Sequence, residues 1–226
     1  MSSMWAKMPC GWQQDEHIHR EMRKAPIGKA IAALKLYLAL CMLANYSPTS
    51  ALSSAGSVKL SLVALARKTG MSKPLAIGGA RLLEKLKLIK REAGKPITYV
   101  LADYGTCKYW TKLPKRYLIG NDSREIERMA TLPNRGQEVF EALQFYIYIA
   151  SIRDKVTGKA KVTYETIIHT LGMSRNAVSR AISTLCAKNM ISMRPEDPVP
   201  GKRPSNTYWL LGRMEEQAVL PQQQAA

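Results

Sequence analysis

Arg175, Asn176, Ser179 and Arg180 lie within one short stretch, "LGMSRNAVSRAISTL" (Leu171 to Leu185), and their types and spacing suit recognition chemistry. With Val178, Ile182 and Leu185 at helical spacing on one side, these four and Ser183 fall on the other. An arginine can bond guanine O6 and N7 in a bidentate pair, and an asparagine can do the same with adenine N6 and N7. The face carries no acid, whereas a merely solvated helix surface usually mixes signs. Ser174 stands ahead of it as an N-cap, where free amides and the positive dipole end suit a phosphate. Base-edge and backbone contact with duplex DNA is therefore the expected chemistry. Catalysis is not expected: the chain has no P-loop glycine pattern, no Gly-x-Ser-x-Gly and no paired histidine ligands. His17, His19 and Cys10 could gather a metal only within a flexible N-terminal arm, so neither metal nor cofactor is expected.

The elements that must position this face are written twice. "TGMSKPLAIGGARLL" (Thr69 to Leu83) aligns with the stretch above at an offset of 102, placing Gly70 on Gly172, Ser72 on Ser174 and Leu83 on Leu185. The register extends upstream, where "VKLS" (Val58 to Ser61) meets "AKVT" (Ala160 to Thr163). Further out, "ALKLYLAL" (Ala33 to Leu40) meets "ALQFYIYI" (Ala142 to Ile149) and "TYVL" meets "TYWL", both at an offset of 109. A repeat this long sets the architecture before any single motif does.

Each copy reads as an apolar helix for the core, a short alternating edge strand, and a helix that stops at Gly70 or Gly172 in a left-handed C-cap. A second helix then starts at the Ser72 or Ser174 N-cap, and a strand, a basic turn and a return strand follow. Helix, strand, helix, tight turn, helix, hairpin is the order of a winged helix-turn-helix. The expected fold is thus mainly α with small β-hairpins, α+β, in two tandem winged-helix domains at 28–104 and 137–213. An N-terminal arm (1–27), a basic-aromatic linker (105–136) and a flexible tail (214–226) complete the chain.

The second helix pair resembles the recognition segment of regulators of the cyclic-AMP receptor protein type, with their Gly-x-Ser-Arg-x-x-Val-x-Arg-x-Ile/Leu pattern. That resemblance spans about fifteen residues. It implies base contacts by Arg175, Asn176 and Arg180, and a different preferred base at Asn176, where the family commonly has Glu. In plan, the two unequal domains are similar to plasmid and phage replication initiators. There the resemblance implies an N-terminal domain for assembly and backbone contact and a C-terminal domain that reads repeated origin sites. The alternative is a transcriptional repressor encoded on a mobile element. A third class is a scaffold that binds protein.

The first copy departs from the reader pattern. Pro74 is tolerated in the first turn, but Gly78 and Gly79 in a helix interior cost about 1 kcal/mol each against Ala. They point to close approach to DNA or to a second subunit, and Gly79 lies off the stripe of Ala76, Ala80 and Leu83, so a larger side chain there is expected to leave the fold intact. Backbone contact is expected from Ser72, Lys73 and Arg81, and a homodimer through this domain is the other possibility. Further backbone contacts are expected from Lys161, from Lys90, Arg91 and Lys95 in the first hairpin, and from Lys202 and Arg203 in the second. In "CKYWTKLPKRYLIG", Lys112, Lys115 and Arg116 alternate with aromatics that can stack on unpaired bases or dock the linker.

Composition agrees with a polyanionic partner. The 226 residues carry 34 Lys and Arg against 17 Asp and Glu, a formal charge of +17. From Met22 to Leu83 there is no carboxylate, while Arg23, Lys24, Lys29, Lys35, Lys59, Arg67, Lys68, Lys73 and Arg81 are all cationic. The four dispersed cysteines read as reduced thiols, and the longest apolar run, Leu36 to Ala44, is too short for a bilayer. A cytoplasmic protein without membrane contact is expected.

Overall fold

A computed structural model describes residues 4–45, 55–120, 125–196 and 205–212. The chain is α+β, with helices packed around three small antiparallel sheets among the described residues. The first unit runs α2 (Ile27–Leu43), β2 (Ser57–Lys59), α3 (Leu62–Lys68), α4 (Lys73–Lys85), β3 (Ile89–Glu92) and β4 (Thr98–Leu101). The second runs α7 (Gln137–Ile152), β6 (Lys159–Thr163), α8 (Tyr164–Leu171), α9 (Arg175–Ala187), β7 (Ile191–Pro195) and β8 (Ser205–Leu210). Both sheets have the same order: the return strand lies in the middle, and β2 or β6 lies at one edge.

Local chemistry explains the helix boundaries. Gly70 and Gly172 sit at φ +63 and +61, the left-handed region that closes a helix at little steric cost. Ser61, Thr163 and Ser174 each accept a backbone N–H in the first turn that follows, while Ser72 occupies the same position without that bond. Helices α2 and α7 are apolar nearly all round because both lie in the core, against each other and against α4 or α9.

Residues 6–24 do not form a flexible arm. β1 (Ala6–Pro9) pairs antiparallel with β5 (Trp110–Leu113), and α1 (Glu16–Lys24) runs back along the first unit. Met8, Trp12, Ile18 and Met22 are buried, and the Tyr37 hydroxyl donates to Pro9 O. The segment after β4 is likewise packed rather than free: it supplies β5, then α5 (Lys115–Ile119) and α6 (Glu127–Ala130). Tyr117 Oη donates to Asn189 O at 2.8 Å, tying α5 to the second unit.

The two units clasp each other reciprocally. Ahead of α7, Ile126 N donates to Lys68 O at 2.7 Å and Asn134 Nδ2 to Gly70 O at 2.7 Å, at the turn of the first unit. Ahead of α2, Arg23 Nη1 donates to Leu171 O at 2.7 Å, at the turn of the second. A cation on the last carbonyls of a helix is favoured by its dipole. In the first unit that role falls to Lys35, fully buried on α2, whose ammonium donates to Thr69 O (3.4 Å), Leu132 O (2.6 Å) and Asn134 Oδ1 (2.7 Å).

Burial without a carboxylate pushes the Lys35 ammonium down from 10.5 to about 8. Between those values the unfolded chain holds the extra proton, so stability rises with pH across the window and the gain is absent below it. Lys35→Met is expected to flatten this rise, removing on the order of 3 kcal/mol of pH dependence relative to the parent. Urea midpoints for both proteins at several pH values from 7 to 10.5 check it; parallel curves would refute the assignment to Lys35.

Candidate nucleic-acid interface

Helix α9 exposes Arg175, Asn176, Ser179, Arg180 and Ser183 and buries Ala177, Val178, Ala181, Ile182 and Leu185. The face is thus arranged as the periodicity requires, with the Ser174 hydroxyl accepting from Ala177 N at 3.2 Å to square the first turn. Its electrostatics are less one-sided than the helix sequence implies, because neighbouring helices supply acids. Arg175 Nη1 lies 3.7 Å from Glu165 Oε1 on α8, and its guanidinium lies 5.2 Å from the Tyr164 ring centroid. Arg180 Nη2 lies 3.7 Å from Glu141 Oε2 on α7. Glu141 is nearly buried; its Oε1 accepts from Gln137 Nε2 at 3.1 Å, while Oε2 has no hydrogen bond. Both arginines are more than half exposed and rest on acids from which they can swing out.

In the first unit the matching positions are Lys73, Pro74, Ile77, Gly78 and Arg81, with Gly78 where the second unit has Arg180. Pro74, Ile77, Gly78 and Arg81 form one wall of an open groove of about 560 Å³ whose other wall is the end of α1 and the start of α2, with Lys24 and Lys29. Glu21 bridges Lys24 (3.1 Å) and Lys85 (3.0 Å), and those two ammonium groups, Lys85 foremost, hold its carboxyl at about 2. Arg81, Lys29 and Lys73 are exposed, as is Ser72 at the N-cap.

Gly79 packs inside the chain and not against an outside partner. Gly79 is buried, and a Cβ there would stand 2.7 Å from Ala32 C and Ala33 N, in the backbone of α2. Its lack of a side chain lets α4 lie directly on α2, so the expectation that a larger residue would be tolerated is overturned. At Gly78 a Cβ would meet only the Lys29 stem, at 3.0 to 3.5 Å.

Several expected backbone contacts are engaged within the chain. Arg91 Nε donates to Glu84 Oε2 at 2.9 Å, and that guanidinium holds the Glu84 carboxyl below the usual range. Lys161 pairs with Glu196, whose carboxyl the Lys161 ammonium and the Thr207 hydroxyl hold low. Lys90 lies 3.4 Å from Glu92, an exposed pair that costs little to break. Lys95 and Arg116 are exposed. Lys112 sits over the Trp5 ring, and Lys115 is half-buried. Lys202 and Arg203 lie outside the described residues.

Arg23 and Lys29 are not among the contacts expected from the sequence, yet Arg23 caps the turn before α9 and Lys29 lines the groove. Their signal was the acid-free run from Met22 to Leu83, which gathers cations on the α1–α4 groove and on the turn before α9. His19 is buried with Nε2 3.0 Å from Gln13 O and its ring against Trp12. Among the described residues no group of three or more His, Cys, Asp or Glu could hold a metal, and no helix is long and apolar enough to cross a membrane. No protein-family model matches the chain, and no curated protein matches it.

Proposed function

We propose that the chain is a sequence-specific double-stranded DNA-binding protein of two tandem winged helix-turn-helix units, and that it initiates replication of a plasmid or phage by occupying repeated origin sites. The observation that carries the reading is the outer face of α9: two arginines, an asparagine and two serines on a helix whose opposite side is buried. Such a helix can enter a major groove with its side chains at base edges. Arg23, Lys24, Lys29, Arg81 and Lys73 extend positive charge from the turn before α9 across the first unit, which favours phosphate contact beside the reading helix.

Inequality of the two units favours the initiator among DNA-binding roles. One chain offers one reading face, since Pro74, Ile77 and Gly78 stand where Asn176, Ser179 and Arg180 stand in the other copy. A single asymmetric reader occupies an asymmetric site, and successive chains then line up on direct repeats; a two-fold dimer would present two equal readers to an inverted repeat. Selection of bound sequences from a random duplex pool tests this: direct repeats are expected, and an inverted repeat would replace the initiator with a dimeric repressor. On the selected site affinity is expected to fall steeply with salt. Six to ten phosphate contacts lose roughly 10³- to 10⁵-fold between about 50 and 200 mM salt. A slope near zero would remove DNA binding altogether.

A further inference from the structure

At the end of the molecule away from Arg180, the β1–β5 ribbon turns one face outward. Strand alternation buries Ala6, Met8, Thr111 and Leu113 on the inner side. Lys7, Trp110 and Lys112 fall on the other side, with Trp5 just ahead of the strand. The indoles of Trp5 and Trp110 lie as an offset stack, centroids 6.3 Å apart and planes inclined by 24°. Ammonium groups cover them: Lys112 Nζ is 5.0 Å from the Trp5 centroid, and Lys7 and Lys155 are 5.5 and 5.3 Å from that of Trp110.

A cleft opens on each side of the pair. One, of about 310 Å³, is lined by Trp5, Lys7, Tyr104 and Lys115 with the C-terminal end of α2. The other, of about 130 Å³, is lined by Trp110, Lys112, Arg153 and Lys155, with Asp154 as its acid. Asp154 Oδ1 is taken up by Val156 N (3.0 Å), Thr157 N (2.6 Å) and the Thr157 hydroxyl (2.8 Å). No carboxylate pairs with Lys7, Lys112, Lys115 or Lys155 among the described residues, and burial pushes the Lys115 ammonium below its ordinary value.

We propose that this face binds single-stranded nucleic acid, with unpaired bases stacking on Trp5 and Trp110 and phosphates taken by Lys7, Lys112, Lys115 and Lys155. An exposed cation–π contact is worth roughly two- to fivefold in affinity. A base on an aromatic face is worth roughly five- to 150-fold, so bases displace Lys112 and Lys155 from the rings and those ammonium groups meet the phosphates, while Lys7 Nζ stays bonded to Tyr104 O at 2.6 Å and offers its remaining donors. Duplex DNA cannot make this exchange, because its bases already stack on one another. The surface is distinct from the proposed reading helix. Glu141, beside Arg180, lies near the start of α7, whereas Arg153, just past its end, donates to Thr111 Oγ1 in the ribbon at 3.2 Å. About 18 Å of helix separates them.

The test is fluorescence anisotropy of the full chain with a labelled oligothymidine of about 12 nucleotides, within the usual single-strand site size, and with a random-sequence duplex. Trp110→Leu and Trp5→Leu are each expected to weaken oligothymidine binding about tenfold while duplex binding changes less than about twofold. Trp110→Tyr, which keeps a stacking ring, is expected to retain most of the affinity. Unchanged oligothymidine affinity in both Leu variants overturns the proposal. So does an equal loss on duplex, which would mark a general polyanion surface, or an equal loss in the Leu and Tyr variants, which would mark packing rather than stacking.

Discussion

Gly79→Leu is expected to destabilise the protein by about 4 kcal/mol or more, enough to lower the melting temperature by roughly 10 °C, and Gly78→Ala to leave it unchanged or slightly more stable. The two glycines are neighbours in one helix and have the same propensity cost, so helix preference alone predicts that both substitutions help by about 1 kcal/mol. Packing separates them. A Cβ at Gly79 meets the carbonyl carbon of Ala32, the nitrogen of Ala33 and the Ala32 Cβ, all within 2.9 Å. Those atoms belong to α2, a helix buried between α4 and α7, and it cannot give way without opening the contact between the units. A Cβ at Gly78 meets the methylene stem of Lys29, which rotates into the open groove. Thermal melts of both variants check the contrast. Equal melting temperatures for Gly79→Leu and the parent would mean that α4 does not lie on α2 as described.

Features that the chain encodes locally are legible in the sequence. Left-handed Gly70 and Gly172, the serine caps and the alternation of "AKVT" are each decided within a few residues, and repetition of the pattern at a fixed offset made the element order doubly visible. What escaped notice depends on residues far apart in the chain. β1 and β5 are four residues each and pair across a separation of about a hundred positions, so neither carries enough alternation to announce itself, and residues 6–24 read as an arm. Gly79 was misread for the same reason. Its position on the helical wheel lies beside the apolar stripe, and only the closeness of α2 turns that flank into an interior surface. The absence of acid on the outer face of α9 is another local truth: Glu141 comes from α7, remote in sequence, and Glu165 from the first turn of α8, the helix just before α9, which folds back beside Arg175.

Arg180→Ala is expected to cost about 1 to 3 kcal/mol on the selected site, some five- to 150-fold in affinity, and little on random duplex DNA. The structure complicates that experiment. Arg180 is also the cation facing Glu141, whose side chain is only 10% exposed and whose Oε2 has no hydrogen bond. Truncating the arginine therefore leaves a nearly buried carboxylate without its counter-charge, and stability should fall by about 1 kcal/mol, the pair being half open to water. Glu141→Gln separates the two roles. Alone it removes a partner that the guanidinium must leave to reach a base, and it should tighten binding a few-fold. Combined with Arg180→Ala it should restore the melting temperature toward that of the parent while the preference for the selected site stays lost. Melting curves and isotherms on selected and random duplexes, run on all four members of the cycle, give the coupling directly. Recovery of preference in the double variant, or equal losses on both duplexes in the single one, would show that Arg180 contributes charge alone and that base reading on α9 rests with Arg175 and Asn176.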